Sequence, residues 1–339
     1  MVRPLLPYDM FDVAKSANEA KRYSRIGNIY HKGQKLIWDG QVVLKQLCEK
    51  HGEPKLTGAK REAAQNVLGA IMWGELAAWK IAAQLADNLE PLEARMAATS
   101  QAHDEARHFY VLHDYLVRAT GDFPRTMNKA AERLVKAALY ADTVPKKIMG
   151  MQLQLEATAL TIFHALRDAN VCPVLSELMI YYEKDEARHV GLGVQLVPTL
   201  MKKMSIAERI EFSAYSFKVA FLSLGSLKGA EKDLRTLGID PRRVAILGKS
   251  KQMLVFEELW KHVPNARSAI GEKIGFAMDA IAEALWPDQK ADPSILARAQ
   301  RVVQTLREGY ETTPTILEPG GEERAPDRAR RRPVPSTLN

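Results

Sequence analysis

Apolar residues recur at helical spacing from about Asn18 to about Glu311, so the chain reads as all-α with no sheet to organise it. A first helical stretch runs from Asn18 to His51, interrupted near Gly40, and stops at Gly52-Glu53-Pro54. Four longer helices follow, approximately Lys60 to Asp87, Leu92 to Thr120, Pro145 to Ala169 and Val174 to Met204, with a shorter one near Met127 to Ala141. Asn88-Leu89-Glu90-Pro91 and Asn170-Val171-Cys172-Pro173 are the breaks between long neighbours. Ser205-Ile206-Ala207-Glu208 has the form of a capping box and opens a further helix to about Leu237. The periodicity continues near Arg242 to Trp260, Arg267 to Trp286 and Pro293 to Glu311.

Composition sets the scale of the molecule. With 339 residues, 46% hydrophobic and 26% charged, the chain can bury one large core. The expected organisation is an irregular arm over 1–17, one helical domain over 18–311, and a disordered basic tail over 312–339. The tail is rich in Pro, Gly and Arg and includes the basic run Arg328-Ala329-Arg330-Arg331-Arg332-Pro333, which reads as a solvated segment. No nucleic-acid partner is expected, although a basic surface suits docking of an acidic carrier protein. Met1-Val2-Arg3-Pro4 leads into no apolar segment, and no uncharged stretch suggests a membrane span. Cys48 and Cys172 are too few for a disulfide framework, which makes the cytoplasm the expected compartment.

The chemistry enters through a repeat. Asp-Glu-Ala-Arg-His stands at Asp104 to His108 and again at Asp185 to His189, and each copy follows a glutamate in an apolar run. Those glutamates are Glu75 and Glu156, with 105 − 75 = 30 and 186 − 156 = 30, and the two sets are offset by 156 − 75 = 81. Glu and His three residues apart share a helix face, so Glu105 with His108, and Glu186 with His189, can each offer oxygen and nitrogen to one ion. From Glu75 to its break and back to Glu105 each leg is on the order of 20 Å at about 1.5 Å per residue, so a hairpin sets the two level. The second repeat does the same for Glu156 and Glu186, and all six side chains meet at one height in a four-helix bundle.

An isolated Glu-x-x-His pair is usually an ordinary exposed helix pair. Here the flanks are apolar, as in Ile71-Met72-Trp73-Gly74-Glu75-Leu76 and Leu153-Gln154-Leu155-Glu156-Ala157, where a lone carboxylate is rare unless paired or bound to metal. Four carboxylates in a bundle centre repel or take up protons, whereas two divalent cations cancel their charge. An oxygen and nitrogen set without thiolate suits iron or manganese and argues against Cu(I) or an iron-sulfur cluster. Asp104, Arg107, Asp185 and Arg188 are expected around the ligands, the aspartates holding the histidine N–H groups and the arginines holding the aspartates.

This pattern resembles the ferritin-like di-iron carboxylate superfamily, in which two helices each give one Glu and two others each give Glu-x-x-His. The longer Asp-Glu-x-Arg-His form is similar to that of soluble acyl-carrier-protein desaturases, bacterial multicomponent monooxygenase hydroxylases, aerobic magnesium-protoporphyrin ester cyclases and R2-like oxidases. The resemblance covers roughly Ala59 to Met204. It implies a ferritin-like four-helix bundle with additional N- and C-terminal helices, and Glu75, Glu105, His108, Glu156, Glu186 and His189 as metal ligands and catalytic centre. No subfamily fits throughout. Leu112 stands where an R2 radical tyrosine is expected, and Ala77 and Met151 where the cross-linked Val and Tyr of R2-like ligand-binding oxidases are expected. Leu160 and Ala159 replace the hydroxylase and desaturase threonines.

The expected function is O2-dependent oxidation, by hydroxylation, desaturation or a related monooxygenase-type reaction, of a largely apolar small organic substrate that is free or carrier-bound. Two Fe ions, or Mn with Fe as in a heterodinuclear R2-like oxidase, are the expected cofactors, with O2 as co-substrate. The sequence has no flavin, NAD or iron-sulfur motif, so an external electron donor is expected, and a homodimer is the expected assembly. Iron handling as a ferroxidase or storage protein uses the same ligands but predicts a compact bundle, which the helices beyond Met204 exceed. Other polar residues have less claim: His103 points away from Glu105, Glu183 suits a polar face, and Tyr110, Tyr181, Tyr182, Trp73 and Trp79 suit packing. Gly191 and Gly193 leave room either for a ligand or for a close helix contact.

Overall fold

In the computed structural model of the chain, residues 24–124, 126–261, 268–287 and 292–308 are described, with 14, 18, 316–317 and 323–324 besides. Helices α1 (Ser24–Lys35) and α2 (Gly40–His51) divide the first helical stretch. The division has a local cause, since the Asp39 side chain accepts from the Val42 N–H and so caps α2. Then come α3 (Gly58–Asn88) and α4 (Leu92–Thr120), joined through Pro91, and α4 stops at Gly121, whose φ of 83° lies in the left-handed region. Asn128 caps α5 (Lys129–Leu139) by accepting from the Ala130 and Ala131 N–H groups.

The next long element changes pitch along its length. It begins as α6 (Val144–Ile148), widens into a π-helical segment at Met149–Leu155, and resumes as α7 (Glu156–Ala169). Asn170 ends it with φ 45°, and Pro173 then opens α8 (Pro173–Lys203) at a position where its missing N–H costs nothing. The capping box is present in full: Ser205 accepts from the Glu208 N–H, and the Glu208 side chain accepts from the Ser205 N–H, opening α9 (Ile206–Gly229). The single helix expected to Leu237 breaks there, with α10 (Glu231–Thr236) as a separate short helix. Last come α11 (Pro241–Lys261), α12 (Ser268–Leu285) and α13 (Ile295–Glu308).

Two hairpins, α3 with α4 and α6 to α7 with α8, form the four-helix bundle, while α1 and α2 lie against α4 and α8. The later helices cover the flank, α9 against α5 and the π segment, and α11 against α7 and α8. The bundle interior is two apolar layers rather than one. Leu68, Met72, Leu112, Leu116, Phe163 and Leu178 belong to the first, and Ile81, Leu85, Ala98, Met151, Leu153 and Leu196 to the second. On each of the four helices the break between the layers falls at the repeated glutamates and histidines. Among the described residues no helix is long and apolar enough to cross a membrane. The expected arm over 1–17 lies outside the described residues except for Ala14, which is helical. Of the expected tail, only 316–317 and 323–324 are described, and they pair antiparallel, with Ile316 opposite Arg324.

Candidate metal centre

All six expected ligands come together between the apolar layers. Glu75 comes from α3, Glu105 and His108 from α4, Glu156 from the first position of α7, and Glu186 and His189 from α8. Each is at most 4% exposed, deeper than a carboxylate reaches without compensation. Two overlapping groups of donor atoms form, Glu75, Glu105, His108 and Glu186 in one and Glu105, Glu156, Glu186 and His189 in the other, each with its atoms within 4.8 Å of one another. Glu105 and Glu186 belong to both groups.

The histidines face the cluster in the same way. His108 Nδ1 lies 3.4 Å from Glu105 and 3.2 Å from Glu186, and His189 Nδ1 lies 3.1 Å from each of the same two. The other ring nitrogens turn to aspartates, but across the repeat: His108 Nε2 is 3.1 Å from Asp185 and His189 Nε2 is 3.2 Å from Asp104. The arginines tie the exchange together. Arg107 donates to Asp104 at 2.6 Å and to Asp185 at 2.8 Å, while Arg188 reaches Asp185 at 2.6 Å and Asp104 at 3.0 Å. Two aspartates and two arginines thus cross-link α4 and α8 and fix both imidazole rings, the support that metal-ligating histidines ordinarily have.

Electrostatics shows how the cluster balances charge without cations. Burial, opposed by His108, pushes the Glu75 carboxyl up to about 8. Burial and the neighbouring Glu105 and Glu186 raise Glu156 well above the carboxylate range. Burial opposes ionisation of Glu105 and Glu186 as well, yet His189 above all for Glu105, and the Glu156 carboxyl for Glu186, hold both below that range. Burial would lower the imidazole values, but Asp185 and the glutamates raise His108, and Glu105 and Glu186 raise His189, well above the ordinary histidine value. The raised values at Glu75, Glu156, His108 and His189 favour the protonated forms of these groups where no cation balances the carboxylates. Glu75 Oε1, Glu105 Oε2, His108 Nδ1 and Glu186 Oε1 are buried without a hydrogen-bond partner, so the donor set fits a pair of divalent ions.

Several contributors lie outside the repeat. Gln101, one turn before Glu105, donates from Nε2 to Glu105 at 3.0 Å and to Glu156 at 2.8 Å, and its Oε1 accepts from Gln152 at 3.0 Å. The Trp38 indole N–H donates to Asp185 at 2.7 Å, and the Arg107 guanidinium lies over the Trp38 ring at 4.6 Å. Tyr182 stacks on His108 with centroids 4.2 Å apart and donates to the His108 carbonyl at 2.7 Å, closer to the ligands than a packing role implies. The π segment brings Gln152 inward and delivers Glu156, in keeping with the frequent occurrence of such segments at functional sites.

The remaining candidates lie elsewhere. His103 has an exposed side chain next to Asp104 and Arg107, and Tyr110 is exposed. Glu183 is buried but pairs with Arg167 and His164. Trp73 donates to the Pro124 carbonyl. A Cβ on Gly193 would come within 2.7 Å of Leu153 and 2.8 Å of Gln152, so that glycine serves close packing of α8 on the π segment. Beside the ligands an apolar cavity of about 160 Å³ is walled by Glu75 and Glu156 at one place and by α9 and α11 further on; about 10–15 Å³ would hold a water.

A bundle of two helical hairpins enclosing a buried, duplicated Glu/Glu-x-x-His set is the ferritin-like class. Solved structures similar to this chain include R2-like ligand-binding oxidases. A variant with an aerobically reconstituted Mn/Fe cofactor superposes with a TM-score of 0.53 at 19% identity, covering 76% of this chain and 99% of its own. Another R2-like ligand-binding oxidase with aerobically reconstituted Mn/Fe cofactor gives 0.51 at 19% identity, covering 75% of this chain and 96% of its own. At that identity the likeness establishes the fold. No protein-family model matches the sequence, and no curated protein matches it.

Proposed function

We propose that Glu75, Glu105, His108, Glu156, Glu186 and His189 hold two metal ions and that the chain is an O2-dependent oxidoreductase acting on a largely apolar organic substrate. The observation that carries this reading is the pair of overlapping, buried donor groups sharing Glu105 and Glu186, with an apolar cavity against Glu75 and Glu156. Two Fe ions, or Mn with Fe as in the R2-like ligand-binding oxidases of this fold, would supply O2 activation when bound. Glu105 and Glu186 would offer carboxylate charge to both ions, and Glu75 and Glu156 to one each. Asp185 and Asp104 face Nε2 of His108 and His189, so that Nδ1 of each ring is the nitrogen that would be offered to an ion. Gln101 holds one oxygen of Glu105 and one of Glu156, which restrains the second group more than the first. The apolar layers above and below exclude water from the oxidising centre. Electrons come from an external donor or from the substrate.

The test is anaerobic loading with Fe(II), or with Mn(II) and Fe(II), followed by O2 and mass analysis of a panel of apolar substrates. A product heavier by one oxygen or lighter by two hydrogens, absent with Glu75→Ala and Glu156→Ala, is expected. Identical product yields from the parent and both variants would defeat the proposal.

A further inference from the structure

Helix α3 carries a glycine that packing does not explain. Gly74 stands inside a helix of 31 residues, immediately before Glu75, where glycine costs stability and alanine would be preferred. Gly69 of the same helix is required by a close contact, since a Cβ there would run into Pro124. Gly193 on α8 is required in the same way by Leu153 and Gln152. A Cβ on Gly74 would meet no atom within 4 Å, and its backbone is not in the left-handed region. What it would meet is the cavity beside the glutamates, because Gly74 is part of its wall.

The wall residues of α3 show where that Cβ would point. Asn66, Ala70, Gly74 and Ala78 recur every fourth residue, with Val67, Ile71 and Glu75 beside them. At about 100° per residue these positions cover about half of the helix circumference, and Gly74 falls near the middle of the arc. From Asn66 to Ala78 the cavity follows α3 for 78 − 66 = 12 residues, about 18 Å. The other walls run along the same axis. Leu68 of α3 and Phe163 of α7 share an apolar layer, so Asn66 lies at the Ile162 end of α7 and Gly74 at the Glu156 end. Asn66 donates to Asp233 of α10 at 3.1 Å, while Ser223, further back on α9, accepts from Gln154 beside Glu156 at 2.8 Å. Helix α11 is antiparallel to α7, with Arg243 near Asp168 and Gly248 near Thr161. The outer end therefore opens at Asn66 and Asn128, both exposed, and the inner end lies at Glu75 and Glu156, both buried. A volume of about 160 Å³ drawn out over that length is a narrow passage, not a round pocket.

We infer that Gly74 is a specificity-determining residue: its missing side chain keeps the passage open to Glu75 and Glu156, and the molecule admitted is an elongated, unbranched apolar one that enters between Asn66 and Asn128 and lies along α3. The inference rests on the proposed oxidase reading for the assignment of that molecule as substrate. A side chain at position 74 would stand in the middle of the α3 wall, one residue from Glu75, and close the passage short of its inner end. Glu75 Oε1, at that end, is buried without a hydrogen-bond partner, so an arriving molecule comes against an oxygen that no protein group holds. Ala70, Gly74 and Ala78 keep the passage just wide enough for a chain, and a compact molecule of the same carbon number is excluded by its girth.

Binding measured apart from turnover tests the passage. Metal-loaded protein without O2 is titrated calorimetrically with 1-decanol and with 1-adamantanol, which holds the same number of carbons in a compact cage. In the parent, 1-decanol is expected to bind about tenfold more tightly than 1-adamantanol. Gly74→Leu is expected to weaken 1-decanol about tenfold, with Tm level or higher because leucine suits a helix better than glycine. Gly74→Ala, which adds one methyl group and disturbs the neighbouring ligand least, is expected to weaken it about threefold. Gly225→Leu, on the exposed face of α9 where a Cβ also meets no atom within 4 Å, gains the same helix preference and is expected to bind 1-decanol as the parent does. Full affinity for 1-decanol in both Gly74 variants, an equal loss in Gly225→Leu, or 1-adamantanol binding as tightly as 1-decanol in the parent would overturn the inference. Loss of binding in the Gly74 variants of a protein that oxidises nothing would leave the passage standing and remove the oxidase reading.

Discussion

Asp185 carries more of the centre than its place outside the ligand set suggests. It accepts from Trp38 and Arg107, contacts Arg188, and faces His108 Nε2. Asp185→Asn is expected to weaken metal binding about 10- to 100-fold, chiefly at the group containing His108, and a metal titration checks this. A second consequence concerns protons. In the metal-free protein Glu75 keeps its proton to about 8, against an ordinary value of 4.5, so between those values the folded state binds a proton that the unfolded chain has lost. Stability therefore falls as pH rises through that window, and Glu156, His108 and His189, all raised, act in the same direction. The lowered Glu105 and Glu186 act oppositely, their contribution being lost in acid. Thermal unfolding of metal-free protein is expected to show Tm falling from about pH 6 to about pH 8, while the metal-loaded form changes less. At this scale the six candidate ligands and their aspartates, which the structure brings together, are legible because they repeat in apolar flanks. Gln101 and Trp38 were not legible, because the positions 81 further on hold Tyr182 and Ala119, so no internal copy marks them.

The helices owe their limits to short-range chemistry that a sequence displays openly. Pro91, Pro173 and the Ser205 capping box fix ends that the structure reproduces, and Asn170 supplies the left-handed residue between α7 and α8. The π segment is different. Met149–Leu155 is apolar or amide-bearing at every position after the glycine, so a change from one hydrogen-bonding pitch to a wider one leaves no mark in the hydrophobic pattern. Its position is set by packing, with α8 pressed on it at Gly193. Gly193→Val is expected to destabilise the fold by about 1–3 kcal/mol through overpacking against Leu153 and Gln152, seen as a lower Tm. Gly193 was open to two uses from sequence, and only the depth of the helix contact decides between them.

The whole molecule consists of a bundle carrying the buried Glu/His cluster, with its flank covered by α9 and α11, and that cover leaves a walled cavity beside the cluster. The sequence showed that helices continue past Met204, but which face of the bundle they cover depends on contacts between residues more than 60 positions apart, such as Gln154 with Ser223. The covered flank favours an oxidase over a storage protein. Exposure of the Fe(II)-loaded protein to O2 is expected to leave about two ferric ions per chain with no mineral; continued uptake of iron would favour storage. The central claim is the dinuclear site itself, and metal content after anaerobic Fe(II) loading and desalting tests it most directly. Two ions per chain in the parent, with one or none in Glu75→Ala and Glu156→Ala, is the predicted result. Two ions in both variants, as in the parent, would contradict it.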